Sequence, residues 1–192
     1  MSLMHCHRYQ RQMVEQFDQR PILNAASKED IPSLGRDFDA INYDLNDFDP
    51  QENKSLYDLP NFVQGSVLNM PAEWTNHFGT VVLGEFLEHC PFDAALRAMR
   101  ETHRVLKDDG ILIVTIPLDP RPKEVQHPPH QLIEWEGGIT SWHTSIWSDE
   151  PWTKLLGLSR FVELRDLRVQ FDYGFCLGYG TVLKKCRDTY AT

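Results

Sequence analysis

Two apolar runs constrain this chain more than any other feature. Gly79-Thr80-Val81-Val82-Leu83-Gly84 and Ile111-Leu112-Ile113-Val114-Thr115-Ile116 are hydrophobic at consecutive positions, not alternate ones. A strand of that composition must be covered on both faces, which is the condition inside a parallel sheet. Between the runs, Phe92, Leu96, Met99, His103 and Leu106 recur at helical spacing. Pro91 suits a first helical turn, where its missing N–H costs little. Asp108-Asp109-Gly110 reads as a stop and turn. Strand, helix and strand in that order predict a parallel crossover unit.

The rest of the chain extends the pattern. A short helix is expected over 7–18, a buried strand over 21–27, an alternating strand over 38–44 and a short third strand over 61–65. Residues 46–60 are polar, hold two prolines, and read as a loop with at most one helical turn. Residues 117–147 are irregular and rich in Pro, His and Trp. A short helix is expected over 149–156 and an alternating strand over 161–169. A last strand over 175–185 is expected to run antiparallel, because only a turn precedes it. The whole reads as one domain over 1–192, with 1–20 an N-terminal helical segment and 118–148 a loop on the substrate side.

Charge and cysteine content narrow the function. The 192 residues carry a formal net charge of −9. That balance opposes sequence-independent nucleic-acid binding, and equally an anionic membrane surface. A small-molecule substrate is expected, with a homodimer or protein partner possible. Cys6, Cys90, Cys176 and Cys186 are scattered without a C-x-x-C pair, so neither a zinc site nor a disulfide framework is expected. A reducing, cytoplasmic setting follows. The early His5, His7, Arg8 and Arg11 lack an apolar run behind them, so no signal peptide or membrane span is expected. His127, His130 and His143 invite a metal reading, but Pro128 and Pro129 forbid helical spacing between the first two, and no metal is expected.

Val81-Val82-Leu83-Gly84-Glu85-Phe86-Leu87-Glu88-His89, then Arg104-Val105-Leu106-Lys107-Asp108-Asp109-Gly110, then the strand ending at Pro117, resemble the small-molecule class I S-adenosylmethionine-dependent methyltransferases of the type 11 kind. The closing segment from Gly178 to Lys185 resembles that family's last strand. The resemblance implies an α/β, Rossmann-like three-layer sandwich: a mostly parallel seven-stranded sheet with a C-terminal antiparallel hairpin. It implies S-adenosylmethionine as cofactor.

The resemblance also assigns candidate residues. The family's first strand ends in an acidic residue and a glycine-rich turn. Here that stretch is Asn24-Ala25-Ala26-Ser27-Lys28-Glu29-Asp30, with none of the glycines. Asn24, Ala25, Ala26 and Ser27 therefore become the cofactor-loop candidates, with Lys28 the hardest departure, since glycine lets backbone approach a ligand closely. Asp44 would accept the ribose hydroxyls, or simply end a strand. Ser66 or the Val67 backbone would read the adenine. Glu85 would face the sulfonium or the methionine amine, or be a solvated loop residue. Glu88 and His89 match the family's Glu-His pair. His89 would act as base or cap the following helix. His143, in the loop with Trp135, Trp142 and Trp147, completes the catalytic candidates. Those tryptophans would hold a planar or cationic acceptor, or pack the loop onto the sheet. Two further readings stay open: a degenerate methyltransferase fold that binds no cofactor and serves as a binding or assembly module, and, ranked lower, a dinucleotide-binding oxidoreductase.

Overall fold

The computed structural model describes residues 4–26, 34–46, 48–49, 54–118, 147, 149–172 and 177–186. The elements in chain order are α1 (Met4–Phe17), β1 (Ile22–Ala25), α2 (Leu34–Phe38), β2 (Ile41–Asp44), β3 (Phe48–Asp49), β4 (Lys54–Ser55), β5 (Phe62–Gln64), β6 (Phe78–Gly84), α3 (Phe92–Val105), β7 (Leu106–Leu118), α4 (Asp149–Ser159), β8 (Phe161–Glu163), β9 (Val169–Asp172) and β10 (Leu177–Lys185). The main sheet runs β5-β2-β1-β6-β7-β10-β8, and β9 also pairs with β10. The pairs from β5 through β7 are parallel, and β10 is antiparallel to β7, β8 and β9. This is the mostly parallel sheet with antiparallel C-terminal strands that the sequence predicts.

Both apolar runs lie at the centre and are covered on two sides. Val81, Leu83, Leu112, Val114 and Leu183 pack with Ala95, Ala98 and Met99 of α3 and with Trp152 and Leu155 of α4. Ile22, Val82, Ile111, Ile113 and Val182 pack with Cys6, Tyr9 and Val14 of α1 and with Leu34 of α2. Each such side chain contributes about 1.5–3 kcal/mol through its removal from water. α3 buries Ala95, Ala98, Met99, Thr102 and Val105, a single stripe at helical spacing. Its Arg104 anchors the segment after β5. The guanidinium donates to Met70 O at 2.9 Å, Thr75 Oγ1 at 2.7 Å and Glu101 Oε2 at 2.7 Å, and Glu101 accepts the Met70 N–H at 2.9 Å.

Several boundaries differ from the sequence reading. Phe38 ends a helix and does not open β2. The segment over 34–38 is α2, and Asp39 at φ 57° turns the chain into the strand. The polar stretch over 46–60 holds a short two-stranded ladder, β3 with β4, besides its one 3-10 turn at Leu56–Asp58. Asp108-Asp109-Gly110 lies inside β7. Strand pairing passes from Phe78↔Leu106 to Thr80↔Ile111, so four residues of β7 bulge opposite Gly79 and the turn signal becomes an irregularity in the ladder. Leu106 begins that strand and does not end the helix. The alternating segment over 161–169 is broken by a 3-10 turn at Arg165–Leu167, so β8 and β9 pair with successive stretches of β10. The Tyr9 hydroxyl of α1 donates to Leu167 O at 2.7 Å, holding that turn against the helix.

Gly79 marks the closest approach between backbones at the amino end of the sheet. Its N–H donates to Pro21 O at 2.9 Å, and a Cβ there would stand 2.7 Å from the carbonyl carbon of Gln19. Gly79→Ala must move main chain, and is expected to lower unfolding free energy by about 1–3 kcal/mol in urea titration. An unchanged midpoint would contradict the close packing.

Candidate active site

The chain leaves β1 for β2 and β5 on one side, then returns to β6 on the other. β1 and β6 are therefore neighbours at the point where strand order reverses, and open α/β sheets bind ligands at the carboxyl ends of such strands. Strand register sets the site there. Ala25 lies opposite both Tyr43 and Leu83. Ala26, just past β1, consequently lies level with Asp44 and Gly84, which end β2 and β6, across about 10 Å at the usual strand spacing.

Two residues at this edge hold a conformation that side chains disfavour. Ala26 has φ 56° and Glu85 has φ 50°. Ala26 occupies the place of the first glycine of the expected turn and adopts the left-handed backbone such a glycine would take. The fold thus keeps the bend although the sequence omits the residue that makes it cheap. Left-handed backbone costs an alanine about 1 kcal/mol or more. Ala26→Gly is expected to raise unfolding free energy by roughly 0.5–1 kcal/mol in urea, where glycine in a helix or strand would lower it.

Asp44 is 5% exposed and its Oδ1 accepts two hydrogen bonds from Asn46, from the main-chain N at 2.9 Å and from Nδ2 at 3.2 Å. This Asx turn fixes the carboxylate at the strand end. Behind it, Asn24 Nδ2 donates to Asn42 Oδ1 at 2.8 Å and Asn42 Nδ2 donates to Pro60 O at 2.8 Å. A carboxylate at position 24 could not make the first of these bonds, which accounts for asparagine where the family has an acid. Ser66 Oγ accepts the Leu68 N–H at 3.2 Å, and Ser66 O accepts the Tyr43 hydroxyl at 3.3 Å. Val67 is buried in the core, so only its backbone is available to a ligand.

After Glu85 a 3-10 turn, Leu87–His89, brings two more candidates in. Glu88 is 1% exposed, and its Oε1 lies 3.6 Å from His89 Nε2. Burial first, and then the charge of Glu85, push the Glu88 carboxyl well above its ordinary 4.5. Burial, and then the charge of Glu88, push the Cys90 thiol up, which keeps it protonated and inert. Pro91 is the cap residue of α3 and makes no side-chain capping bond. A raised carboxyl favours the folded state while it is protonated. Its contribution is full below about 4.5 and is lost as pH rises through the folded-state value. In that window the protein is expected to lose up to about 1.4 kcal/mol per pH unit, and Glu88→Gln to remove this loss and exceed the parent in stability at pH 8. Parallel urea stability profiles against pH would refute it.

Ser27, Lys28 and His143 lie outside the described residues, as do His127, His130, Trp135 and Trp142. Trp147 is described and is a core residue, 1% exposed, with ring centroids 6.0 Å from Phe92 and 6.3 Å from Trp152. It packs the fold and does not serve as an acceptor platform. Among the described residues no cluster of His, Cys, Asp and Glu could hold a metal, and no helix is long and apolar enough to cross a membrane. Sequence reasoning missed Asn42 and Asn46. The Asp44-x-Asn46 spacing was a usable signal for the second, whereas the Asn24–Asn42 bond depends on strand register.

Residues 35–114 match the methyltransferase domain family. The match starts beyond the 24–30 stretch. The sheet order and the switch point agree with that match, which covers about two fifths of the chain. The chain has the Rossmann-like fold that solved methyltransferase structures share. Solved structures of that fold superpose over nearly all of it. A putative sarcosine dimethylglycine methyltransferase from Galdieria sulphuraria is 18% identical, with a TM-score of 0.66 over 95% of this chain and 86% of its own. The Burkholderia thailandensis 1,6-didemethyltoxoflavin-N1-methyltransferase, solved with 1,6-didemethyltoxoflavin and S-adenosylhomocysteine, is 13% identical, with a TM-score of 0.63 over 95% and 79%. The [4+2]-cyclase SpnF is 14% identical, with a TM-score of 0.63 over 94% and 80%. No curated protein matches by sequence. At these identities the methyltransferase-fold neighbours establish architecture, and chemistry must be argued from the residues.

Proposed function

We propose that this protein is an S-adenosylmethionine-dependent methyltransferase acting on a small molecule. One observation carries the reading: Ala26 and Glu85, both with left-handed backbone, directly follow β1 and β6 at the switch point, and Asp44, its carboxylate fixed by Asn46, ends the neighbouring β2. The donor set fits the cofactor. Asp44 suits a pair of ribose hydroxyls, Ser66 and the Val67 backbone suit an adenine edge, and Glu85 suits a cationic sulfonium or amine. Asn24 and Ala25 close β1 and Ala26 follows it, and the proposal extends the cofactor loop to Ser27.

When bound, the cofactor supplies an electrophilic methyl group. The protein's task is then mostly alignment, since direct displacement needs donor, methyl and acceptor in line. Where the acceptor must lose a proton, the partly exposed His89, with Glu88 Oε1 3.6 Å from its Nε2, receives it. His143 remains a second candidate for the same task.

The rival reading, a fold that has lost its cofactor, draws on Asn24 for the acid and alanine for the glycine. Against it stands Asp44, whose carboxylate Asn46 fixes at the strand end. Calorimetry with S-adenosylmethionine and S-adenosylhomocysteine tests the proposal. Binding is expected, with Asp44→Ala weakening it about tenfold or more through loss of charge-assisted bonds. Absence of binding at millimolar ligand would favour the module reading.

A further inference from the structure

A buried polar bridge links the N-terminal helix to the carboxyl edge of the sheet. Gln10 of α1 is 3% exposed, and its Nε2 donates to Thr115 Oγ1 at 2.7 Å. The amide reaches that point only because residue 84 is glycine. A Cβ on Gly84 would stand 2.2 Å from Gln10 Nε2 and 3.2 Å from Thr115 Oγ1. Gly84 and Thr115 are partners across β6 and β7, and the Thr115 carbonyl accepts the Glu85 N–H at 2.8 Å. One threonine therefore ties Gln10 through its side chain and Glu85 through its main chain.

The placement follows from chain direction. Gln19, just after α1, meets Gly79 and Thr80 at the amino end of β6, while Gln10 meets Gly84 at the carboxyl end. The helix thus runs antiparallel to β6 and delivers its first half to the ligand edge. A buried amide–hydroxyl bond adds little net stability over an apolar pair of the same shape. What it adds is direction: it holds Thr115 in one rotamer and in one register beside a residue in left-handed backbone.

We infer that Gln10 is a positioning residue of the active site, fixing Thr115 and, through the Thr115 carbonyl, the turn that presents Glu85. The inference rests on the cofactor reading above for its functional consequence, and on the bridge alone for its structural one. α1 is then part of the cofactor site through Gln10.

The test uses the full chain and two readouts. Calorimetry measures S-adenosylhomocysteine affinity, and NMR amide exchange in the ligand-free protein measures protection of the Glu85 N–H against that of Ile113. Gln10→Met and Thr115→Val keep shape and remove the bond. Each is expected to weaken affinity about tenfold, through the looser presentation of Glu85. The double variant is expected to be no weaker than either single one, and Thr115→Ser to recover most of what Thr115→Val loses. The Glu85 amide should exchange faster in Gln10→Met while Ile113 stays protected, which separates local release from unfolding. Affinity within threefold of the parent and unchanged Glu85 exchange would overturn the inference alone. No binding by the parent protein would overturn the cofactor reading, and the exchange result would still decide whether Gln10 holds the Glu85 turn.

Discussion

The structure depends on the burial of β6 and β7 from both sides. A strand with apolar side chains on two faces cannot sit at a surface or at an edge, so these two must be central. Helices have to cover each face, and the covering sets are different: α3 and α4 on one, α1 and α2 on the other. Once β6 is central and β1 is its neighbour, the reversal of strand order between them is fixed. The carboxyl ends of those strands become the natural ligand edge. Packing that has no chemistry of its own therefore decides where chemistry can occur.

At that edge the protein tolerates features that the core would reject. Ala26 and Glu85 adopt left-handed backbone, and Glu88 is a buried carboxyl close to a second one. Each is costly by itself. Left-handed backbone also occurs at turns such as Asp18, Asp39, Asn61, Asn76 and Arg160, and what sets this edge apart is the pair of carboxyl groups beside it. The polar bonds around them run mainly between elements: Asn24 to Asn42, Gln10 to Thr115, Glu85 to Thr115. Neighbours of the same fold include proteins named for methyl transfer and one named for a [4+2] cyclisation, so the reaction is set by such local groups and not by the sheet.

The reach of sequence reasoning followed the range of the forces involved. The apolar runs and the stripe of α3 were legible because periodicity reports burial directly. The places of Asp44, ending β2, and of Glu85, just after β6, were legible because the apolar pattern stops there. The break over 165–167 was not, because strict alternation predicts one strand and the turn is held by Tyr9, more than 150 residues away in sequence. Trp147 read as a loop aromatic because composition alone cannot tell a platform from a core anchor; its contacts with Phe92 and Trp152 can.

The amino-acid sequence by itself determined a parallel α/β sheet, its central strands, and the positions where a ligand edge carries acidic groups. These follow from local periodicity and from the solvation of side chains, which act wherever the residue sits. Tertiary structure decided the rest. It showed that Ala26 holds left-handed backbone, that Asn24 is bonded to Asn42, and that the N-terminal helix connects to Glu85 through Thr115. Those depend on register and on close approach between distant segments, and no pattern along one chain records which atoms will meet.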